Sequence, residues 1–524
     1  MIEFTELLKK EKERKKMELS LLWIVIAFAA YLLMMIVIGA IYSKSSTNTE
    51  EYFLGGRNLN GFVAALSAQA SDMSGWLLMG LPGAIFIYGM NGGDGWCALG
   101  LFIGTVLNWL IVATRLRKYT IKANNSVTLP RFFENRFRDE KKILLLVSSI
   151  IIVIFFTVYC ASALAAGGKL FDSIFGLDYH IALLIGAVVI LLYTFLGGFM
   201  AVCTTDFVQG TLMLIALLAV PICAVCIMNN NGVDIANSLA PALEENPGFI
   251  NMFKGTKAVG MISGLAWGLG YFGMPHILVR FMAVKNEKEM KKSKGVAICW
   301  VLLSLVAAAV IAIIGRAYMD YSYIVDEVGS EKIFIEMIKK VFLEDIRLPF
   351  VAGIFLCGIL AAIMSTADSQ LLVSASSISE DIVKGCIKKD ISDKTIMWIS
   401  RISIVVVAIV AFIIAWNPES SVMDLVSDAW AGLGAAFGPL VLCSLFWKRT
   451  NLPGAVAGLI SGALTVIIWD YIPLMGSTIG NATGLYSLAI GFPISLIFVI
   501  LVSLITKKPS DEIMKEFDEV KDVQ

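Results

Sequence analysis

Residues 64–76 read Ala64-Ala-Leu-Ser-Ala-Gln-Ala-Ser-Asp-Met-Ser-Gly-Trp76, and residues 263–275 read Ser263-Gly-Leu-Ala-Trp-Gly-Leu-Gly-Tyr-Phe-Gly-Met-Pro275. Each lies in an apolar run long enough to cross a bilayer, which takes about 20 residues for a core of about 30 Å. Neither suits a plain lipid-facing helix. The first puts Ser67, Gln69, Ser71, Asp72 and Ser74 at membrane depth, and an ionised Asp at a helix centre costs about 2.5–3.5 kcal/mol. The second crowds glycines against Pro275, which removes a backbone donor. Backbone groups freed in this way are tolerable only where protein, water or a ligand satisfies them.

The rest of the chain supplies the setting. Its 524 residues are 58% hydrophobic and 16% charged, against roughly 45–50% and about 25% in soluble domains, and the mean hydropathy is +0.79. Forty-two basic and 42 acidic residues are too few to clothe a soluble protein of this size. This excludes a soluble globular protein, a disordered chain and a secreted disulfide scaffold. The balanced charge argues against a nucleic-acid partner. The sequence carries only His180 and His276 as histidines and lacks zinc-protease, serine-hydrolase and Walker motifs, so an enzyme is not expected. Cys223-Ala-Val-Cys226 has redox spacing but lies in an apolar run, and is expected to be buried packing. Gly268–Gly273 matches a dinucleotide fingerprint with no strand before it, so no nucleotide site is expected.

Thirteen spans are expected, near 20–42, 62–88, 95–114, 143–167, 180–199, 207–228, 258–278, 296–318, 349–376, 397–415, 424–446, 454–472 and 484–506. Loops after odd-numbered spans hold 23 Lys and Arg, and loops after even-numbered spans hold seven. The odd side is therefore expected to be cytoplasmic, with the N-terminus outside. The basic tail at 1–19, with Lys9, Lys10, Lys12, Arg14, Lys15 and Lys16, dissents from that orientation. The expected division is an extramembrane tail 1–19, a transporter body 20–506 and a cytoplasmic tail 507–524. The two irregular spans are numbers 2 and 7. Spans 2–6 and 7–11 each have five members, so the second set starts from the opposite side of the membrane. Broken helices at matching positions of inverted halves point to a transport site at the midplane. The core repeats are placed at about 62–228 and 258–446.

Span 9 contributes Ala361-Ala-Ile-Met-Ser-Thr-Ala-Asp-Ser-Gln370. Ala362, Ser365, Thr366 and Ser369 share a helical face. Their carbonyl and hydroxyl oxygens suit a hard cation. A site of neutral oxygens has no proton carrier near pH 7 and so favours Na⁺ over H⁺. The other reading is that these hydroxyls bond their own helix or join neighbouring helices. Asp368 reads as a hydrogen-bonded interior acid. Asp206 is expected near the start of span 6, where two readings stand: a favourable place at the positive dipole end, or a role in cation release. Trp267 and Tyr271 lie four residues apart on span 7, with Tyr159 in span 4, either as packing or as a wall for the apolar part of a substrate. Gly454, Gly458 and Gly462 read as close helix packing.

The run Leu66-Ser-Ala-Gln-Ala-Ser-Asp-Met-Ser-Gly-Trp-Leu-Leu-Met-Gly-Leu-Pro-Gly83 resembles the second helix of the sodium:solute symporter family, and its length points to the proline branch. Trp267-Gly-Leu-Gly-Tyr-Phe-Gly-Met-Pro-His276, Gly197-Gly-Phe, Thr205-Asp206 and Trp430-Ala-Gly-Leu-Gly-Ala-Ala-Phe-Gly-Pro439 are similar too. The likeness runs from about residue 25 to 505. It implies an all-α membrane protein with a LeuT-like 5+5 inverted repeat, one helix in front and two behind. It further implies a sodium site formed by the carbonyls of Ala70, Met73 and Ala362 and the hydroxyls of Ser365 and Thr366. The implied substrate region holds Ser71, Ser74, Gly75, Tyr159, Trp267, Tyr271 and Pro275, with Asp72 as the essential acid. Arg57 and Asp206 match charged positions that support coupling, and Asp368 is an acid some relatives lack. The implied activity is sodium-coupled import of L-proline across the plasma membrane, with Na⁺ as coupling ion, the lipid bilayer as surroundings and no obligatory protein partner. A sodium- or proton-coupled carrier of pantothenate, a sugar or sialic acid is the alternative.

Overall fold

In hydrocarbon every backbone polar group must be satisfied within the chain, so the apolar runs close into helices. The structure, a computed structural model, describes residues 2–43, 48–195, 198–319, 327–388, 390–474 and 476–522. Helix α1 (Ile2–Ser43) is continuous and takes in the basic tail. Pairs such as Lys15–Glu11 at 2.8 Å, one turn apart, support its polar first half. Helix α2 (Gly61–Asp72) starts where the Asn60 side chain accepts from the amides of Phe62 and Val63, and ends at Met73, whose ψ of 80° is not helical. Helix α3 (Trp76–Tyr88) continues at a 64° bend. Next come α4 (Asp94–Lys122), α5 (Ile143–Phe175), α6 (Tyr179–Thr194) and α7 (Phe199–Asn230).

The second irregular span is α8 (Ala258–Gly273) followed by α9 (Pro275–Ala283), bent by 46°. The last turns of α8, Trp267–Gly273, are wound as a tighter 3₁₀ helix. Pro275 opens α9, where its missing amide costs nothing. Helices α10 (Glu287–Tyr318), α11 (Pro349–Ile387), α12 (Asp393–Ile414) and α13 (Val422–Phe446) complete the second set. Helices α14 (Leu452–Tyr471), α15 (Ser487–Ile505) and α16 (Asp511–Asp522) follow. Helix α2 packs against α7, α9, α10 and α11, and α13 packs against the 3₁₀ turns. The two breaks therefore sit in the centre of the bundle, walled by α5 and α11.

The 3₁₀ part of α8 reaches the core because two backbones touch. A Cβ built on Gly104 of α4 would stand 2.2 Å from the Gly268 carbonyl oxygen, and one on Gly268 would stand 2.2 Å from that of Gly100. Backbone atoms cannot swing aside as a side chain can. Gly104→Ala is expected to cost about 1–3 kcal/mol by overpacking. Thermal unfolding in detergent checks it, and an unchanged midpoint would refute it.

The structure corrects several expectations. Among the described residues ten helices are long and apolar enough to cross a membrane, or twelve when each bent pair is one span, so the expected count of thirteen is not confirmed. The segment expected at 180–199 forms the apolar helix α6, whose 16 residues extend about 24 Å, and residues 196–197 of that segment lie outside the described residues. Gly197, part of one family-like run, lies outside the described residues. Cys226 is exposed rather than in packing, while Cys223 is half-buried and packs against the core. The tail after 507 holds α16, whose buried Phe517 has the guanidinium of Arg115 5.0 Å above its ring.

Candidate functional site

The first cluster joins the break after α2 to α11. The Ser365 hydroxyl lies 2.7 Å from the Ala70 carbonyl oxygen and 3.2 Å from that of Ala362. Thr366 Oγ1 lies 3.3 Å from the same Ala70 oxygen. All four residues are buried. Residues 362, 365 and 366 meet α2 together because three- and four-residue spacings fall on one helical face. Met73 sits at the break itself, its amide still bonded to the Gln69 carbonyl at 2.8 Å. Four of the five expected oxygen-bearing residues thus converge, and Met73 adjoins them.

The second cluster surrounds Asp72. The Tyr271 hydroxyl donates to Asp72 Oδ2 at 2.6 Å. The Asp72 carbonyl accepts from Trp76 Nε1 at 3.0 Å and from the Tyr159 hydroxyl at 3.3 Å. Carbonyls of the 3₁₀ turns of α8 also find side-chain partners: Asn108 Nδ2 donates to Tyr271 O and Trp430 Nε1 donates to Trp267 O, each at 2.8 Å. Trp267 stacks on Tyr486 with centroids 5.0 Å apart, and Tyr271 meets Trp430 edge-on at 5.1 Å. Ser74 lies in the break, its amide bonded to Asp72 O at 3.0 Å. Gly75 lets this turn approach α5, since a Cβ there would stand 2.8 Å from that of Ala166. Pro275 lines a narrow pocket with Ile152, Phe199, Val279 and Arg280 that reaches Thr128 and Ser377.

Ser71 points elsewhere. Its hydroxyl lies 3.1 Å from Asp206 Oδ2 and 2.9 Å from Ser369 Oγ, away from the aromatic wall that Asp72 faces. Successive helical residues diverge by about 100°, so the Ser71 and Asp72 side chains face different neighbours here. Asp206 is fully buried and is the eighth residue of α7. Dipole stabilisation fades within the first turn, so a helix-end role is excluded. Its partner is Arg280, with Nη2 at 3.2 Å. Ser369 Oγ also lies 3.2 Å from Asp368 Oδ1, which makes Asp368 the interior acid expected. Arg57 closes the face with the basic loops: Nε meets Asn125 Oδ1 at 2.8 Å, while Nη1 and Nη2 donate to the carbonyls of Met282 (2.7 Å) and Ser126 (2.8 Å). Burial pulls its pKa down to about 10, against the raising effect of Glu50, so it stays cationic at neutral pH.

The sequence profile described as "Sodium:solute symporter family" matches residues 52–462. The chain belongs to the sodium:solute symporter family. The "High-affinity proline transporter PutP" of Bacillus subtilis (strain 168) is 46% identical over 488 residues, covering 93% of this chain and 99% of that relative. The "Sodium/proline symporter" of Staphylococcus aureus (strain JH9) is 44% identical over 502 residues, covering 95% and 96%. Among solved structures, the substrate-bound outward-open state of a Na⁺-coupled sialic acid symporter superposes with a TM-score of 0.75 at 19% identity, over 93% of this chain and 98% of that one. At that identity the likeness establishes the fold, the LeuT-like inverted repeat.

For this sodium:solute symporter the sequence missed several residues around the site. Arg280 was counted with the loop after span 7, yet the helix runs on through Ile277-Leu-Val-Arg-Phe-Met-Ala283 and buries it. A lone Arg within an apolar run was the available signal. Asn108 carried no signal, and Trp430 stood out only as the head of a family-like run, because the work of both is to cap carbonyls that only the folded structure brings to them. Tyr271→Phe keeps the ring and deletes the bond to Asp72. It is expected to raise the half-saturating substrate concentration about tenfold, as loss of a hydrogen bond to a charged group implies. Uptake kinetics at saturating sodium check it, and an unchanged value would refute it.

Proposed function

We propose that this chain imports L-proline with sodium across the cell membrane, one ion with one solute, by alternating access. The observation that carries this reading is the meeting of the Ser365 and Thr366 hydroxyls with the Ala70 carbonyl at the break of α2, two residues from the acid that Tyr271 holds. Relatives at 44–46% identity named as proline transporters support the choice of solute. The donor set is hard, neutral oxygen, which fits Na⁺. An arriving ion takes the oxygens of Ala70, Met73, Ala362, Ser365 and Thr366 in place of the hydroxyl–carbonyl bonds, tying α2 to α11. Proline then lies between the break and α8, its ring against Trp267 and Tyr271, with Tyr159, Ser74, Gly75 and Pro275 shaping the pocket. Its carboxylate meets amides of the unwound backbone.

The basic loops lie in the cytoplasm, so the C-terminus is inside and the N-terminus outside. Arg57 then joins the ends of the two broken spans on the cytoplasmic side, and Asp206, paired with Arg280, holds α7 to α2 beside the ion site. Each sodium entering down 100 mV gains about 2.3 kcal/mol from the potential alone. The test is radiolabelled proline uptake into proteoliposomes under imposed Na⁺, Li⁺ or H⁺ gradients, with pantothenate, glucose and sialic acid as competitors. Sodium-driven proline uptake that these competitors leave intact is expected. Uptake driven by protons, or preference for a competitor, would overturn the reading.

A further inference from the structure

We propose that Arg280 is a tethered cation holding the place beside Asp206, and that it thereby limits the transporter to one sodium ion per cycle. The inference rests on the sodium-coupled reading above. Asp206 Oδ2 receives the Ser67 hydroxyl at 2.6 Å, the Ser71 hydroxyl at 3.1 Å and Arg280 Nη2 at 3.2 Å. The guanidinium also donates from Nε to Ser67 Oγ at 3.1 Å, from Nη2 to Ser369 Oγ at 2.6 Å, and from Nη1 to the His276 carbonyl at 2.8 Å. The Phe199 ring lies 5.3 Å beneath it. Both charges are buried.

Without the guanidinium, this place is the Asp206 carboxylate ringed by three hydroxyls from α2 and α11, with the Asp368 carboxylate 3.2 Å beyond Ser369 Oγ. That is a hard-oxygen donor set of the kind alkali cations prefer. Asp206 Oδ1 has no hydrogen-bond partner among the described residues, so the carboxylate has ligand capacity to spare. The place also adjoins the proposed sodium site. Ser71 follows Ala70, and Ser369 stands one turn beyond Ser365 and Thr366 on the same face of α11. Two cation positions therefore lie side by side. A mobile ion fills one, and the other holds a charge the protein cannot release, because Arg stays protonated throughout the physiological range. A purely structural ion pair would stabilise the bundle with no bearing on how many ions bind.

The experiment counts ions. Equilibrium ²²Na⁺ binding to purified protein in the presence of proline is expected to give one ion for the wild type and two for R280Q. Sodium activation of uptake should change in step, from a Hill coefficient of one toward two. R280K keeps a charge and should stay at one, and R280Q/D206N, which removes the vacated carboxylate, should return to one. D206N alone should also bind one ion, because Arg280 rather than sodium occupies that place. This variant carries the test if R280Q does not fold. Two ions in the wild type, one ion in proline-binding R280Q, or loss of a counted ion in D206N would each overturn the proposal. A wild type that binds proline but no sodium would overturn the sodium-coupled reading instead.

Discussion

Replacing Ser365 and Thr366 together by alanine should raise the half-saturating sodium concentration for uptake by at least about a hundredfold. Each hydroxyl offered to a charged partner is worth about 1.5–3 kcal/mol, and the pair faces one shared carbonyl, that of Ala70. Ala70 and Ala362 give only backbone oxygens, which these substitutions leave in place. What disappears, on the proposed reading, is the two of five ligands that α11 supplies through side chains, and with them much of the ion's ability to bind α11 to the break in α2. Proline recognition at saturating sodium should change far less, because Trp267 and Tyr271 hang from α8. The single variants should fall between. If the hydroxyls merely join two helices, the double variant loses stability and keeps its sodium dependence. Sodium activation curves in proteoliposomes separate the two outcomes, and an unshifted curve sinks the assignment.

Much of this site was legible because its signals violate the rules of lipid-facing helices. Asp72 amid apolar neighbours, and Pro275 after a glycine-rich run, are costly unless the backbone opens around them, and it does. The face shared by Ala362, Ser365 and Thr366 follows from helical spacing alone. What escaped depends on how far helices extend and on which partner faces each side chain. Arg280 was placed in a loop because hydropathy averaging ends a span at its first charge, whereas pairing with Asp206 lets the helix continue through it. Ser71 was grouped with Asp72 by adjacency, though a helix turns them apart. The thirteenth span is the one left unconfirmed: α6 is apolar, but its 16 residues are fewer than in the helices that reach spanning length. Nothing in the sequence joined Lys169 to Glu331, which lie 162 residues apart.

That pair supports the second large expectation. Glu331→Ala should destabilise the protein by about 3–5 kcal/mol, the usual cost of leaving one member of a buried ion pair alone. Lys169 Nζ stands 2.5 Å from Glu331 Oε2, and both side chains are almost wholly buried. The other carboxylate oxygen accepts from the amides of Val422 (2.8 Å) and Met423 (3.2 Å), the first residues of α13. There its charge also meets the positive end of that helix. Lys169 in turn donates to the Ser420 carbonyl at 2.8 Å. The chain bearing Glu331 rests on α3, where a Cβ on Gly83 would stand 2.9 Å from the Glu331 amide nitrogen. One carboxylate thus fastens α5, α13 and the outer half of the first broken span, on the side away from the basic loops. Removing it strands an ammonium group in the core and leaves two amides at the start of α13 without their acceptor. K169M/E331L removes both charges and should recover most of the loss, since apolar replacement of a buried pair is often neutral. Those two amides of α13 should keep the recovery incomplete. Thermal and denaturant unfolding of the two single variants and the double variant measure this cycle. Equal losses for the double and for Glu331→Ala would mean that the pair contributes through packing rather than charge.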